Sequence, residues 1–142
     1  MNFFFLIFSL VILKPNYCSC PPPLPLDDTQ YNEYNLIAKG KISKTTVEDF
    51  KNTIYLTIET YYKGGENKPI IKITTPSHEG ECGIFPKVGE KWLMFAYANG
   101  SYYRTNLCTR TKNMNQKAWD YNKTEIEADI KYLETKVIAG NR

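Results

Sequence analysis

Lys91 to Cys108 reads KWLMFAYANGSYYRTNLC. An apolar and aromatic run, Lys91 to Ala98, meets Asn99-Gly100, and a second run, Ser101 to Leu107, ends on a cysteine. Asn-Gly between two β-forming runs is the strongest short-range hairpin signal, because both residues tolerate the positive φ that a tight turn demands. Two antiparallel strands are therefore expected here, with Cys108 at the end of the second.

Strand signals continue upstream. Leu36, Ala38, Gly40 and Ile42 alternate with Ile37, Lys39, Lys41 and Ser43, and Ile54, Leu56 and Ile58 alternate with Tyr55, Thr57 and Glu59. Both patterns have the period of two that puts one face of a strand on a core. Lys63-Gly64-Gly65-Glu66-Asn67 is a turn cluster, and Pro69 to Thr75 (PIIKITT) resumes a strand. Asp27 to Glu33 suggests a turn or a short helix. Five modest strands punctuated by Gly and Pro predict a mainly β sandwich or small barrel. The tail differs. Ile126, Ile130, Leu133 and Val137 recur at helical spacing, Thr124 with Glu127 has the form of a capping box, and Gly140 suits a helix end. This amphipathic helix is expected to pack on the sheet, with Trp119 and Tyr121 tucked beneath its approach.

At the other end, Phe3 to Leu13 (FFFLIFSLVIL) is an uncharged run of eleven residues. A bilayer needs about 20 apolar residues, so the run fits the core of a secretory signal peptide over residues 1–17 better than a span. Beyond Leu13 no segment is apolar enough to cross a membrane. A secreted or extracellular protein is expected, or a periplasmic or surface one in a bacterium. The formal charge is +3, and removing the one charge of Lys14 leaves +2. That is an ordinary solubility charge and points away from nucleic acid. Arg104, Arg110, Lys112 and Lys117 are expected on a solvated face. Asn99-Gly100-Ser101 and Asn122-Lys123-Thr124 are glycosylation sequons.

The chain has four cysteines, Cys18, Cys20, Cys82 and Cys108. An even number behind a leader implies two bridges. Cys18 with Cys20 is the least favourable pair, because one intervening residue strains disulfide geometry. Both early cysteines should therefore reach forward, in either of two crossings. A zinc site is the rival reading, although Cys-x-Cys with two distant single cysteines lacks the spacing of a zinc ribbon. Between Cys20 and the first strand, Pro21-Pro22-Pro23-Leu24-Pro25 makes a stiff, extended strut.

Catalytic chemistry finds little support. His78 is the single histidine, in the polar loop Thr75 to Glu81. Four bridged cysteines leave no thiol nucleophile, and one histidine cannot furnish a metal-hydrolase site. Asp27-Asp28 and Glu79/Glu81 have the character of surface turns. Gly64-Gly65 lacks the Lys-Ser/Thr that would make it a phosphate loop. No enzyme and no cofactor is expected. Tyr55, Tyr61, Tyr62, Tyr97, Tyr102 and Tyr103 are read as sheet-face packing.

Cys18-Ser19-Cys20-Pro21 resembles the first residues of the mature tissue inhibitors of metalloproteinases, which begin Cys-x-Cys with proline close behind. Further segments follow in the family's order. Leu36 to Ile42 is similar to its first strand and Tyr62-Lys63-Gly64 to its Lys-Gly turn. Thr74-Thr75-Pro76 through Glu81-Cys82-Gly83 is similar to its Thr-x-Pro…Cys-Gly segment, Lys87 to Leu93 to a Gly turn entering a strand, and Thr105 to Cys108 to its closing Thr-Leu-Cys. The similarity covers Cys18 to Cys108. The family's third cysteine pair in this domain, and its cysteine-rich second domain, have no counterpart.

The resemblance implies a netrin-like module over residues 18–142. Its core over 18–112 would be a five-stranded OB-type barrel, and 113–142 a helical segment. It implies the pairs Cys18–Cys82 and Cys20–Cys108. It also implies a function, inhibition of zinc metalloendopeptidases. The α-amine and carbonyl of an N-terminal Cys18 would chelate the protease's zinc, and Ser19 would enter the pocket beside it. Cys20, Pro21 and Pro22 would extend the contact ridge, with Ser77 and His78 flanking it. The partner would be a protease active site, met by a monomer. The alternative is a secreted or surface-tethered netrin-like module for protein binding or adhesion, without protease inhibition.

Overall fold

In the computed structural model, residues 17–140 are described, so the expected leader lies outside them except for Tyr17. The elements are α1 (Asp28–Glu33), β1 (Leu36–Glu48), β2 (Lys51–Lys63), β3 (Ile70–Pro76), β4 (Lys91–Asn99), β5 (Tyr102–Arg104), β6 (Lys112–Asn113) and α2 (Lys123–Gly140). The protein is mainly β, with one six-stranded sheet and a C-terminal helix. Pairings run β1–β2–β3–β5–β4, and β4 pairs again with β1, which closes a circuit of five strands. All of these pairs are antiparallel except β3–β5. β6 adds to β4 at Trp92 and Leu93, on the edge that β5 occupies further along.

Alternation in β1 and β4 divides the apolar residues between two cores. Leu36, Ala38 and Ile42 of β1 and Trp92, Met94 and Ala96 of β4 join Ile54, Leu56, Ile71 and Ile73 in one cluster. Ile37 of β1 and Leu93 and Phe95 of β4 point to the other face, where Leu26, Tyr34 and Leu133 of α2 cover them. β4 is thus buried on both sides, which is why its sequence is a continuous apolar run. β1 follows β2 for its whole length through three register irregularities. Such bulges bend and twist a strand, letting β1 reach β4 as well. Gly40 lets β1 lie close on β2: a Cβ there would meet the Thr57 carbonyl oxygen at 2.3 Å.

Several expectations need correction. β5 stops at Arg104, short of the expected Leu107. Asn106 Oδ1 accepts from the Cys108 and Thr109 backbone N–H groups, at 2.8 and 3.1 Å, and turns the chain there. The β4–β5 turn sits one residue later than the Asn-Gly dipeptide. Asn99 pairs with Tyr102, leaving Gly100-Ser101 as the loop, with Gly100 at φ 65°. The helix begins before Thr124: Asn122 Oδ1 accepts from the Glu125 N–H at 3.2 Å, so Asn122 caps it. Trp119 does not dock the helix, being 92% exposed.

Nor do the basic residues all lie on a solvated face. Arg110 is buried and Lys112 is half-buried. Both dock α2, Arg110 on Asp129 at 2.5 Å and Lys112 on Glu125. Lys136 and Tyr132 add contacts to Asp28 of α1; the Lys136 ammonium first, and then the Tyr132 hydroxyl, hold its carboxyl below its usual range.

Candidate functional site

Cys18 pairs with Cys82, and Cys20 pairs with Cys108, each with Cα atoms 5.1 Å apart. This is the crossing that the resemblance implies. The two bridges fasten one tripeptide, Cys18-Ser19-Cys20, to two loops at the same end of the sheet. Ser19 is exposed, as are Pro21 and Pro22, while both cysteines are half-buried. The tripeptide is therefore a raised ridge fixed on either side of its central residue.

The loops beneath it are held by the sheet. The Leu107 N–H donates to the Cys82 carbonyl at 2.7 Å, joining the two loops directly. Thr105 N–H donates to the Thr74 carbonyl at 2.9 Å and continues the β3–β5 line. Thr105 Oγ1 donates to the Phe95 carbonyl at 2.9 Å and lies 2.9 Å from both Thr109 Oγ1 and Thr111 Oγ1. The Phe95 N–H donates to Thr111 Oγ1 at 3.0 Å. A knot of hydroxyls thus secures the Cys108 loop to β4, which is rigid because it is buried on both faces.

The proline strut is held from below. Arg110 Nη1 donates to the Leu24 carbonyl and, at 2.9 Å, to Gln30 Oε1. Its Nη2 meets Asp129 of α2, and the Arg110 N–H donates to the Tyr34 hydroxyl at 3.2 Å. One buried guanidinium therefore links strut, α1, sheet and C-terminal helix. Sequence reasoning missed both partners. The available signal was Asp129 itself, a carboxylate among Ile126, Ile130 and Leu133 on the apolar stripe.

The loop expected to flank the ridge carries Ser77 and His78. Ser77 is half-buried, and its N–H donates to the Phe50 carbonyl at 3.2 Å. His78 is exposed, its ring 6.4 Å from that of Phe50. Cys82 ties this loop to the ridge, so the structure does bring Ser77–Cys82 and Cys18–Cys20 together. It adds one unexpected neighbour. The β1–β2 turn is Asp49-Phe50, both at positive φ, and it presents Phe50 79% exposed beside His78. Between this turn and β4–β5 runs an open cleft of about 470 Å³ lined by Phe50, Lys51, Glu81, Tyr97, Arg104 and Asn106. The expected tyrosines are half-buried on the sheet, except Tyr62, which is buried.

No family model matches this sequence. A search of curated proteins returns no match either.

Tyr34 provides a pH-dependent check on the ridge's support. Its ring packs at 5.1 Å on both Phe95 and Tyr97. Burial pushes its hydroxyl up from 10.0 to about 12. A raised acid contributes stability fully below the unfolded value, and that contribution is lost as pH rises from 10 towards 12. A shift of about two units corresponds to roughly 3 kcal/mol. Urea unfolding should thus show wild type losing up to roughly 3 kcal/mol more than Tyr34→Phe over that interval. Parallel declines would refute this role for Tyr34.

Proposed function

We propose that this protein is a secreted, monomeric inhibitor of zinc metalloendopeptidases, built as a netrin-like module. The circuit β1–β2–β3–β5–β4–β1 supports reading the sheet as a five-stranded OB-type barrel. The observation that carries the functional reading is the ridge, Cys18-Ser19-Cys20, clamped by a bridge at each end with Ser19 left exposed between them.

The chemistry follows from that clamp. A catalytic zinc keeps a coordination position open for water or substrate. Cleavage of the Tyr17–Cys18 bond would free an α-amine next to the Cys18 carbonyl, two hard donors that can chelate zinc and displace the attacking water. The Cys18 sulfur is committed to Cys82 and does not compete. Ser19 then enters the adjoining pocket, and Pro21 and Pro22 follow the protease cleft. Because bridges, prolines and Arg110 fix the ridge beforehand, little ordering entropy is lost on binding. Ser77 and His78, carried on the loop bridged to Cys18, extend the contact surface.

The N-terminal residue of the mature secreted chain tests the reading by mass spectrometry. Cys18 is the expected first residue. A chain that keeps Tyr17, or that starts at Cys20, has no Cys18 amine to offer. It would then be a netrin-like binding or adhesion module.

A further inference from the structure

The two bridges lie side by side. Sγ of Cys18 is 3.8 Å from Sγ of Cys20 and 4.0 Å from Sγ of Cys108, and Cys108 Sγ is 3.7 Å from Cys82 Sγ. All four sulfurs fall within 4.8 Å of one another. In a tetrahedral zinc tetrathiolate, Zn–S bonds of about 2.3 Å put the sulfurs about 3.8 Å apart. Three of the four separations between the two bridges already lie close to that edge length, and the fourth, Cys20 to Cys82, is within 4.8 Å.

We infer that reduction turns this double bridge into a four-cysteine site for a zinc-class divalent cation. Reduction needs two equivalents of a dithiol or a phosphine, one per disulfide. The dithiol gives two electrons and two protons and closes to its own disulfide; the phosphine gives two electrons and becomes its oxide with the oxygen of a water, which supplies the two protons. The four thiols then bind the cation as thiolates and release four protons. To open from bonded contact to a tetrahedral edge, each sulfur moves by roughly 1 Å, within reach of a side-chain rotation.

The ligands stay together without the bridges. The Leu107–Cys82 backbone hydrogen bond and the Asn106 side chain hold Cys82 and Cys108 in neighbouring loops. Cys18 and Cys20 are one residue apart, and their strut is gripped at Leu24 by Arg110. Buried Leu26 anchors the strut on the sheet. The four ligands thus come from a sheet-borne half and a strut-borne half, each with its own anchor. The structure brings together what the sequence spacing held apart. The inference is independent of protease inhibition: either can fail while the other stands.

The test uses the purified protein, reduced with a phosphine that brings no thiol, and titrated with Co²⁺. One ion per chain is expected, with the visible bands of tetrahedral thiolate cobalt, and Zn²⁺ should bleach them. The cobalt form should keep the far-ultraviolet strand signal of the oxidised protein, and the oxidised protein should bind none. Cys108→Ser and Cys20→Ser should each weaken cobalt binding by more than about tenfold, since losing even an outer-shell partner typically costs 10- to 100-fold. The inference is overturned by no tight binding, by one ion shared between chains, by binding to a coil-like chain, or by bands unchanged in either variant.

Discussion

Asp129→Ala is expected to destabilise the protein by about 3–5 kcal/mol, the usual cost of leaving one member of a buried ion pair without its partner. The pair is buried on both sides, the Arg110 side chain 7% and Asp129 3% exposed. Removing the carboxylate leaves a guanidinium facing a cavity, while Leu24 and Gln30 retain contact with its other nitrogen. Asp129→Asn keeps an acceptor and should cost less. A double replacement, Arg110→Met with Asp129→Leu, should recover much of the loss, because apolar side chains of similar volume often serve a buried site as well as an ion pair does. Urea denaturation of these variants decides the matter. A loss near zero for Asp129→Ala would mean that α2 is not held by this contact.

The second large effect concerns the bridges. Cys18–Cys82 spans 64 residues and Cys20–Cys108 spans 88. With the first in place, the second closes a shorter path, 2 residues along the ridge and 26 between Cys82 and Cys108, or 28 in all. The chain-entropy relation gives about 3.6 kcal/mol for such a loop. Cys20→Ala combined with Cys108→Ala should cost about that much, measured by urea unfolding under oxidising conditions. The same variant frees one side of the ridge, so any activity that depends on a fixed Ser19 should fall even where the sheet stays folded. Unchanged stability would mean that the sheet restrains the strut without this bridge.

How far these features were legible in the sequence depended on whether the signal was local. β4 was legible because burial on both faces leaves a continuous apolar run. The β1–β2 hairpin turn was not. It is made by Asp49-Phe50 at positive φ, where a non-glycine residue is uncommon and no Asn-Gly marks the place. β5 was overread because Ser101 to Leu107 has strand composition throughout, whereas the Asn106 side chain ends the strand by capturing two backbone N–H groups. Arg110 looked like one of several surface cations, since a charge run carries no record of a buried partner 19 residues away. The ridge was legible as a motif. What spacing alone left open was which early cysteine meets which late one, and that all four sulfurs meet in one place.

The proposed inhibition depends on a free amine at Cys18. The direct measurement is inhibition of a zinc endopeptidase by protein that begins at Cys18, set beside the same protein with one alanine added ahead of it. The addition moves the amine one residue away and puts a side chain where the zinc must approach, while the bridges and sheet are untouched. Chelation predicts inhibition by the first protein and its loss in the second, with identical circular dichroism. Equal inhibition by both, or none by either, would contradict it.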